Sequence, residues 1–295
     1  MISLSIIILS YNTKDLTIKC IESIIRQYKK ELERGEFEII LVDNASTDGS
    51  VREIQKSKFK SQNDKSKLKI VQNERNLGFA KGCNIGARES KGKYILFLNS
   101  DTEVLDRGFL KMVEFLDKNP KVGILGGRLL NIDGSPQPSC GKFYTLFNLF
   151  LMLVGAERIG LLRYNPKEIK KVDWVSGGYM MVRKSLFEKL KGFDEHFFMY
   201  VEDMELCYRV KDLGFLTYFY PNVKVFHKKL GSSKKEFAII NIYKGILYFY
   251  SKHKNRLEYL VARLMLIVKA RFAIFLGIIL NNKTLSATYT KAIRF

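Results

Sequence analysis

The sequence predicts an open α/β fold with a mostly parallel central sheet flanked by helices, and two features of its first hundred residues carry that prediction. Short apolar runs rich in Ile and Val each end at polar or turn-forming residues; they lie at 3–9, 37–42, 68–73 and 94–101. Between them, 14–33 has apolar residues at helical spacing, and a second helix is predicted at about 78–90. Strands that alternate with helices in this way form parallel βαβ units. Ligands of such sheets bind at the carboxyl ends of the strands.

The rest of the chain continues the alternation less regularly. Strands are predicted at 122–130, at 172–183 and, with a turn in the middle, at 216–227. Helices are predicted at 184–191, from Val201 to Leu213 and over most of 234–280. Gly214 follows the second of these helices, where glycine commonly ends a helix. We therefore divide the chain into an α/β domain at 1–230 and a basic, amphipathic, helical region at 231–295.

The composition is that of a globular protein from a reducing compartment. Of the 295 residues, 46% are hydrophobic and only 5 are proline, which allows a sizeable core and argues against extensive disorder. The cysteines form no CxxC pair, which argues against a zinc knuckle or a disulfide framework. They are Cys20, Cys83, Cys140 and Cys207. The N-terminal apolar run is too short for a signal peptide or a membrane span, so a cytoplasmic location is expected.

The formal charge of +20 predicts an anionic partner. Nucleic acid, an anionic membrane and phosphorylated substrates are the alternatives. Residues 230–295 hold 12 Lys and Arg against 2 Asp and Glu, beside long apolar runs. That combination favours a membrane surface, and the chain contains no recognisable base-reading module. We therefore expect no nucleic acid among the partners.

The segment 257–280 is the strongest candidate for membrane contact. It holds 14 Leu, Ile, Val and Phe, interrupted by Arg263, Lys269 and Arg271. For insertion into a membrane, the free-energy cost of its charged residues balances the gain from its apolar residues. Three alternatives stay open: a membrane-spanning helix, a buried helix at a homodimer interface and a helix that lies in the membrane interface. We favour the last, with a protein attached peripherally to the inner face of the cell membrane. The aromatic run at 144–155 is either a second membrane-facing or acceptor-facing patch or part of the core.

Acidic residues follow two of the predicted strands. Asp43 ends the strand at 37–42 and could accept a hydrogen bond from a nucleobase or ribose. Asp101 closes the run at 94–101, where a phosphate-bound metal could reach its carboxylate. Each aspartate alone could equally be a turn or capping residue. Two of them on neighbouring strand ends of one α/β unit favour the functional interpretation.

A second acidic pair, Glu202 and Asp203, lies where a helix begins, in a stretch crowded with aromatic residues. Burial would raise the pKa of a carboxyl group there, whereas the helix N-terminus would lower it. Acids that only interact with the helix dipole are the alternative. His227 follows the strand-like run VKVF, and a single histidine is more often structural than a metal ligand.

Glycines mark two further segments. Gly78 opens a glycine-containing stretch that could let the backbone approach a nucleotide, but its spacing matches neither GxGxxG nor GxxxxGK[ST]. Gly177 and Gly178 follow Trp174 and could form a loop that closely approaches a sugar. A bulge or tight turn is the alternative for this pair.

As a set, the motifs resemble family 2 glycosyltransferases of the GT-A fold, in particular their rhamnosyltransferase-like and galactofuranosyltransferase-like branch. The matching segments occur in the family's order. They are SIIILSYN (5–12), ILVDNASTDGS (40–50), NLGFAKGCNIG (76–86), YILFLNSDTEV (94–104), the segment 174–214 and HKKLGSS (227–233).

The resemblance implies a nucleotide-binding half at about 1–105 and an acceptor-binding half at 106–230. Residues implied to contact the nucleotide-sugar are Ser10, Tyr11, Asn12, Asp43, Asn76, Gly78, Asn84, Asn99 and Ser100. Those implied to face the sugar or acceptor are Trp174, Gly177 and Gly178. Asn99-Ser100-Asp101 stands in place of the family's DxD motif, with Asn for the first acid, and Asp101 and His227 would bind the metal. Asp203 would be the general base, and Glu202 would support it or touch the acceptor.

The implied activity is metal-dependent, inverting transfer of a sugar from a nucleotide-diphosphate donor to a glycan or lipid-linked acceptor in cell-surface glycan assembly. Mg²⁺ or Mn²⁺ is the implied cofactor, and rhamnose is the leading candidate for the sugar. A sugar nucleotidyltransferase would need a glycine-rich, lysine-bearing phosphate loop near the N-terminus, and SYNTKDL is a poor match. A catalytically inactive scaffold of the same fold would be expected to lack Asp101 or Asp203, and both are present.

Overall fold

A computed structural model describes residues 2–56, 68–228 and 235–294. The strands are β1 (Leu4–Ser10), β2 (Phe37–Asp43), β3 (Leu68–Gln72), β4 (Tyr94–Asn99), β5 (Thr102–Val104), β6 (Val122–Leu130), β7 (Pro136–Gln137), β8 (Cys140–Gly141), β9 (Arg163–Tyr164), β10 (Lys170–Val172), β11 (Trp174–Val175), β12 (Tyr179–Arg183) and β13 (Leu216–His227).

The helices alternate with the strands in the first half and dominate the end of the chain. They are α1 (Lys14–Arg34), α2 (Ser50–Lys56), α3 (Gly78–Arg88), α4 (Gly108–Lys118), α5 (Leu146–Leu153), α6 (Lys184–Lys189), α7 (Glu202–Asp212), α8 (Lys235–His253), α9 (Arg256–Ile279) and α10 (Lys283–Ala292). A single 3₁₀ turn at Ala156–Ile159 separates α5 from β9.

The main sheet has the strand order β10-β13-β6-β12-β4-β1-β2-β3, with β5 and β7 paired at its side. The strand β1 runs parallel to β2 and β4, β2 runs parallel to β3, and β6 runs parallel to β13. Since β12 is antiparallel to both β4 and β6, it is the reversed member among the long strands of the described chain. This is the mostly parallel α/β sheet that the sequence predicts. A small sheet, β11-β8-β9, lies beside it.

The alternation of side chains along β1 explains the two layers of core. Ile6 and Ile8 pack on one face of the sheet in a cluster with Cys20 and Ile24 of α1. Ile7 points to the opposite face, where a second cluster is formed with α3, α7 and α8. A strand that is covered on both faces needs a continuous apolar run, which is why the first strands lack polar–apolar alternation. All four cysteines are buried and unpaired, as expected.

Three predicted boundaries are wrong. The strand at 94–101 ends at Asn99, so Ser100 and Asp101 lie in the turn to β5. The segment 172–183 is broken into β10, β11 and β12, because 176–178 form a tight turn between two sheets.

The third wrong boundary concerns 216–227, which is one strand without a reversing turn. β13 runs parallel to β6 along its whole length, with a register shift between Tyr220 and Lys224. Pro221 lies in the shifted part, where a residue without a backbone N–H does not interrupt the ladder. The irregularity is therefore a bulge, which explains why the sequence looked like a turn.

The C-terminal helices pack on the α/β core. Tyr243, Ile246, Phe249 and Tyr250 of α8 are buried in the same cluster as Ile7. The predicted division at 230 falls within 229–234, outside the described residues, and stays a prediction. None of the helices in the described ranges combines the length and apolar character that crossing a bilayer requires.

Phe97 gives a direct test of the core. Its ring is 1% exposed and lies 5.2 Å from that of Phe187 and 4.9 Å from that of Phe193, measured between centroids. Replacing Phe97 by Ala is expected to lower the free energy of unfolding by about 3–5 kcal/mol, because a cavity is left among rigid neighbours. Urea denaturation measures the loss. Phe147→Ala, at a ring that is 69% exposed, is the control and should change stability by less than about 0.5 kcal/mol.

Candidate functional site

The carboxyl ends of β1, β2 and β4 meet at one edge of the sheet. Ser10 pairs with Asp43, and Leu9 pairs with Asn99, in the parallel register of these strands. The loops that leave this edge therefore bring the Asp43 loop and the Ser100–Asp101 turn together. The parallel register alone accounts for this placement.

A carboxylate and an imidazole meet at the turn after β4. Asp101 Oδ1 lies 3.2 Å from His227 Nε2, and the amide Nδ2 of Asn99 lies 3.1 Å from the same nitrogen. His227 ends β13, which pairs with β5 directly after the turn. The two side chains are 16% and 14% exposed, so they are accessible but largely desolvated. His227 also lines an open cavity of about 500 Å³ with Asn131, Ile132, Asp133 and Lys228.

Gln137 fixes the orientation of this imidazole, a role that was not predicted for it. Its Nε2 donates to the carbonyl oxygen of His227 at 2.7 Å, which leaves its Oε1 to accept from His227 Nδ1 at 2.8 Å. These two contacts fix the plane of the imidazole ring, so that Nε2 faces Asp101 and Asn99. Gln137 lies in the two-residue strand β7 within SPQPSC, a stretch without any motif.

Gly177 and Gly178 connect this cluster to Asp203. The backbone N–H of Asn99 donates to the Gly178 carbonyl at 3.1 Å, and the N–H of Gly177 donates to Asp203 Oδ2 at 3.0 Å. A Cβ at position 178 would lie 2.8 Å from Asn99 Nδ2, so this turn has no room for a side chain. A continuous path of contacts thus runs from Asp203 through the glycine pair and Asn99 to His227 and Asp101. The structure therefore brings the two predicted carboxylates to the same end of the sheet.

Burial and neighbouring charge shape the acidic pair at the start of α7. Burial raises the pKa of Asp203, although N–H donors from Gly177 and Met204 oppose that effect. Burial, followed by the charge of Asp203, raises the pKa of Glu202 well above its ordinary value. Glu202 Oε2 is buried and has no hydrogen-bond partner among the described residues. Because only Asp203 has donors on both oxygens, it is the member of the pair that ionises first.

The turn that presents this pair is strained. Tyr200 and Val201 both have positive φ, 71° and 75°, and such a conformation is rare for a β-branched residue. Gly245 of α8 packs directly on the turn, and a Cβ there would lie 2.9 Å from Val201 Cγ2 and 3.2 Å from the Tyr200 carbonyl oxygen. The close approach of α8 holds the backbone that positions Glu202 and Asp203.

A buried ion cluster also joins α7 to α8. Glu205 is fully buried and accepts hydrogen bonds from Arg209, Lys252 and His253 at 2.8–3.0 Å. Burial alone would raise the pKa of Glu205, but hydrogen bonds from His253 and Arg209 and the charge of Arg209 lower it to about 2. Lys252 reaches Asp194 as well, which ties the loop before α7 to the same helix. The helix that carries Asp203 is therefore fixed at both its start and its middle.

On the other side of the sheet edge, the Asp43 loop offers an unused acceptor. Asp43 Oδ2 accepts from the backbone N–H of Ser46 at 3.0 Å, whereas its Oδ1 is buried without a partner among the described residues. Asn12, at positive φ (53°), braces this loop because its Oδ1 accepts from the backbone N–H of Thr47 at 2.8 Å. A buried carboxylate oxygen without a donor is costly, so this atom is suited to a ligand that donates a hydrogen bond.

The glycine stretch is held against β2 by amide side chains. Asn44, which was not predicted, donates to Asn76 Oδ1 at 2.9 Å and to the Gly78 carbonyl at 3.1 Å. Gly78 has φ of 81°, and a Cβ there would collide with the Phe198 carbonyl oxygen. The position requires glycine because the backbone and ring of Phe198 pack directly on it.

The remaining predicted side chains differ in where they lie. Tyr11 is exposed beside the Asp43 loop, and Ser100 bonds Thr13 at 3.0 Å across the sheet edge. The hydroxyl of Ser10 is used by Thr13 and Thr17.

Asn84 and Trp174 are committed to structural contacts. The amide of Asn84 donates to the Phe193 carbonyl at 2.8 Å and accepts from its N–H at 2.9 Å, which ties α3 to the loop before α7. Trp174 is 5% exposed, donates to the Lys142 carbonyl, and has the Arg163 guanidinium over its ring. Because both side chains are engaged in these contacts within the protein, their contacts with ligands stay predictions.

The family model for glycosyl transferase family 2 matches residues 5–191 of this chain. Among curated relatives, an N-acetylglucosaminyl-diphospho-decaprenol L-rhamnosyltransferase of Mycobacterium tuberculosis is 26% identical over 224 residues, which cover 67% of this chain and 68% of the relative. The rhamnosyltransferase WbbL of Escherichia coli is 28% identical over 159 residues, which cover 51% of this chain and 60% of WbbL. The chain thus spans about two thirds or less of the length of these relatives.

Solved structures support the fold. The mannosyltransferase PcManGT of Pyrobaculum calidifontis, in complex with GDP-Man and Mn²⁺, superposes with a TM-score of 0.59 at 16% identity. The match covers 98% of this chain and 84% of that one. At this identity the likeness extends to the fold alone: an α/β sheet of the GT-A type with C-terminal helices.

The contact between Gly245 and the strained turn can be tested by a double-mutant cycle. Gly245→Ala is expected to destabilise the chain by about 1 kcal/mol, because the clash with Val201 outweighs the better helix propensity of Ala. In a Val201→Gly background the contact with the Val201 side chain is absent and only the 3.2 Å approach to the Tyr200 carbonyl oxygen remains, so the same change should be less destabilising by about 1 kcal/mol. Urea titration of the four chains measures the coupling, and Ser251→Ala, exposed on α8, is the control. An equal effect of Gly245→Ala in both backgrounds would contradict the contact.

Proposed function

The chain belongs to glycosyl transferase family 2, and we propose that it is a metal-dependent, inverting glycosyltransferase that moves a sugar from a nucleotide-diphosphate donor onto a lipid-linked or polysaccharide acceptor. The observation that carries this proposal is the contact path from Asp203 through Gly177, Gly178 and Asn99 to Asp101 and His227. It sets a desolvated carboxylate on one side of a side-chain-free turn and a carboxylate–imidazole pair on the other. We assign the nucleotide to the half at about 1–105 and the acceptor to 106–230.

Donor recognition is assigned to the Asp43 loop. The unpartnered Oδ1 of Asp43 would accept from a nucleobase N–H or a ribose hydroxyl, which supplies the missing hydrogen bond. Asn12 and Asn44 hold this loop and the Gly78 loop in place through their amide side chains. Binding then needs little rearrangement of the backbone.

The residues present fit a divalent cation. Within the described residues, no cluster of three or more His, Cys, Asp and Glu is found, so Asp101 and His227 would share the ion with oxygens of the donor diphosphate. Mg²⁺ and related cations are commonly held by one or two protein ligands together with substrate phosphates. Gln137 supports this assignment, since its contact with His227 Nδ1 orients the ring so that Nε2 faces Asp101. When bound, the cation would offset the negative charge that grows on the leaving diphosphate.

Asp203 is assigned as the general base. Its raised pKa makes it a better proton acceptor than an exposed aspartate, while the N–H groups of Gly177 and Met204 fix its orientation. Burial and the charge of Asp203 raise the pKa of Glu202 well above its ordinary value, which disfavours a second negative charge beside Asp203. The acceptor hydroxyl gives its proton to Asp203 as its oxygen attacks the anomeric carbon. The diphosphate departs on the Asp101 side, opposite to the attack, so the configuration at the anomeric carbon inverts. One base suffices because no covalent glycosyl-enzyme is formed.

Rhamnose is the proposed sugar, and a lipid-linked saccharide of cell-surface glycan assembly is the proposed acceptor. Two relatives named as rhamnosyltransferases support the sugar, and the name of the mycobacterial one supports an acceptor linked to a lipid by a diphosphate. A panel of nucleotide-sugars, assayed with Mn²⁺ by release of nucleoside diphosphate, tests the donor. A uniform lack of turnover and of binding would overturn the proposed function.

Removing the base tests the assigned mechanism. Asp203→Asn is expected to lower kcat by at least about 10²–10⁴-fold, the usual contribution of a general base. Donor affinity should change little, because Asp203 is assigned to the acceptor side. Steady-state kinetics and calorimetric titration with the nucleoside diphosphate measure the two quantities.

Asp212→Asn is the matched control, since Asp212 is exposed at the end of the same helix. It should leave both quantities unchanged. Full activity of Asp203→Asn would remove Asp203 from the role of base.

Gln137 tests the metal site without touching an assigned ligand. Gln137→Leu removes the acceptor that holds the proton on His227 Nδ1 and is expected to raise the Mn²⁺ concentration for half-maximal activity by about 10–100-fold. Gln27→Leu, which removes an amide bonded to the Leu105 carbonyl, is the control for loss of one buried hydrogen bond. An unchanged Mn²⁺ dependence for Gln137→Leu would argue against His227 as a ligand.

A further inference from the structure

The helix α9 has its large apolar side chains on the outside. Eight of its residues are between 47% and 71% exposed, and they fall within an arc of about 120° at 100° per residue. They are Leu257, Leu260, Leu264, Val268, Phe272, Phe275, Ile278 and Ile279. Along 24 residues this row extends for about 36 Å.

The inner side of α9 explains why the large residues point outward. Its buried residues are mostly small, and they occupy the opposite arc: Ala262, Leu266, Ala270, Ala273 and Gly277. The helix therefore packs closely on α5, α8 and α10 through a narrow face. A helix on the surface of a water-soluble protein shows the reverse arrangement, with its apolar face inward. The outer face needs an apolar partner.

The neighbouring helix extends the same surface. α5 packs against α9 and exposes Phe147 and Phe150, which are 69% and 49% accessible, and Val154, the residue after this helix, is 62% accessible. Ile159 and Leu161 follow in the 3₁₀ turn and the loop after it, also exposed. We call these residues and the eight of α9 the apolar surface. Contiguous exposed patches of this extent usually mark an interaction site.

Basic residues border the apolar surface. Arg256 and Arg263 lie along one edge of the α9 arc, Lys269 lies along the other, and Arg271 falls within it. None of the four forms an ion pair with another described residue. Long basic side chains beside an apolar face can extend to phosphate groups at its border.

We propose that the apolar surface docks on an anionic lipid bilayer, with α9 lying in the plane of the membrane. The charge decides between this occupant and a second copy of the chain. A two-fold dimer through this face would place the same row of arginines against itself, whereas anionic headgroups neutralise them. The proposal rests on the proposed function for its purpose, the capture of a lipid-linked acceptor.

The position of α5 gives the docked protein an orientation. Tyr144, two residues before α5, and Arg163, in β9, both lie within electrostatic range of the Asp203 carboxylate. The part of the apolar surface that α5 forms therefore begins near Asp203. A lipid-linked saccharide would enter from the membrane on the base side, while the donor reaches the Asp43 side from solution.

Vesicle cosedimentation of the full chain tests the docking. Binding is expected to phosphatidylglycerol vesicles and to be much weaker with phosphatidylcholine alone or at high salt. Phe272→Ser with Phe275→Ser should weaken binding at least about tenfold, because two exposed apolar anchors are lost. Ile169→Ser with Leu213→Ser, at exposed apolar residues that are not part of this surface, is the matched control and should bind as the native chain does.

Three outcomes would overturn the proposal: equal binding by the Phe272 and Phe275 double variant, equal binding to neutral vesicles, or no vesicle binding together with a dimer that this double variant dissociates. Sedimentation equilibrium without lipid distinguishes the last outcome. Because vesicle binding needs no turnover, Asp203→Asn should bind vesicles fully. Failure of lipid docking and failure of the proposed function are therefore separable.

Discussion

The candidate site depends on one constraint of the fold, the insertion of β12 between β4 and β6. β12 is antiparallel to both neighbours, so its beginning, not its end, meets the carboxyl end of β4. The Asn99–Gly178 hydrogen bond forms at this junction and joins the Asp101 cluster to the turn that contacts Asp203. Had β12 run parallel to β4, its glycine turn would lie at the opposite edge of the sheet. One reversed strand therefore gives the proposed donor and acceptor sides a common boundary.

Much of the fold could be predicted, because burial on both faces of a parallel sheet leaves a plain sequence signal. The runs that became β1, β2 and β4 were recognisable from their continuous apolar composition, and α1 and α3 from the way they alternate with these runs. The bulge in β13 was not, since Pro221 is equally compatible with a reversing turn and only its partner strand decides. Short strands such as β7 and β8 carry no periodicity and depend on tertiary contacts.

The candidate site was predictable only where chemistry and strand ends coincide. Two of the aspartates, Asp43 and Asp101, lie at or just after the ends of strands, and Asp203 lies at the start of a helix. Such positions can be recognised from the sequence. Gln137 and Asn44 act through hydrogen bonds to residues far along the chain, and no local sequence pattern indicates such contacts. Conversely, Asn84 and Trp174 lie in recognisable motifs, yet the structure uses them to fasten loops. A sequence motif therefore does not show whether a residue in it contacts a ligand or the protein backbone.

The ion cluster between α7 and α8 sets a limit on how the chain can be shortened. Without α8, Glu205 would keep only Arg209 as a partner, and Phe249 and Tyr250 would no longer fill the core beside it. An unbalanced buried carboxylate favours local unfolding of the segment that carries it. The helices α9 and α10 could be exchanged for another membrane-binding segment more readily than α8, because α8 holds α7 in place.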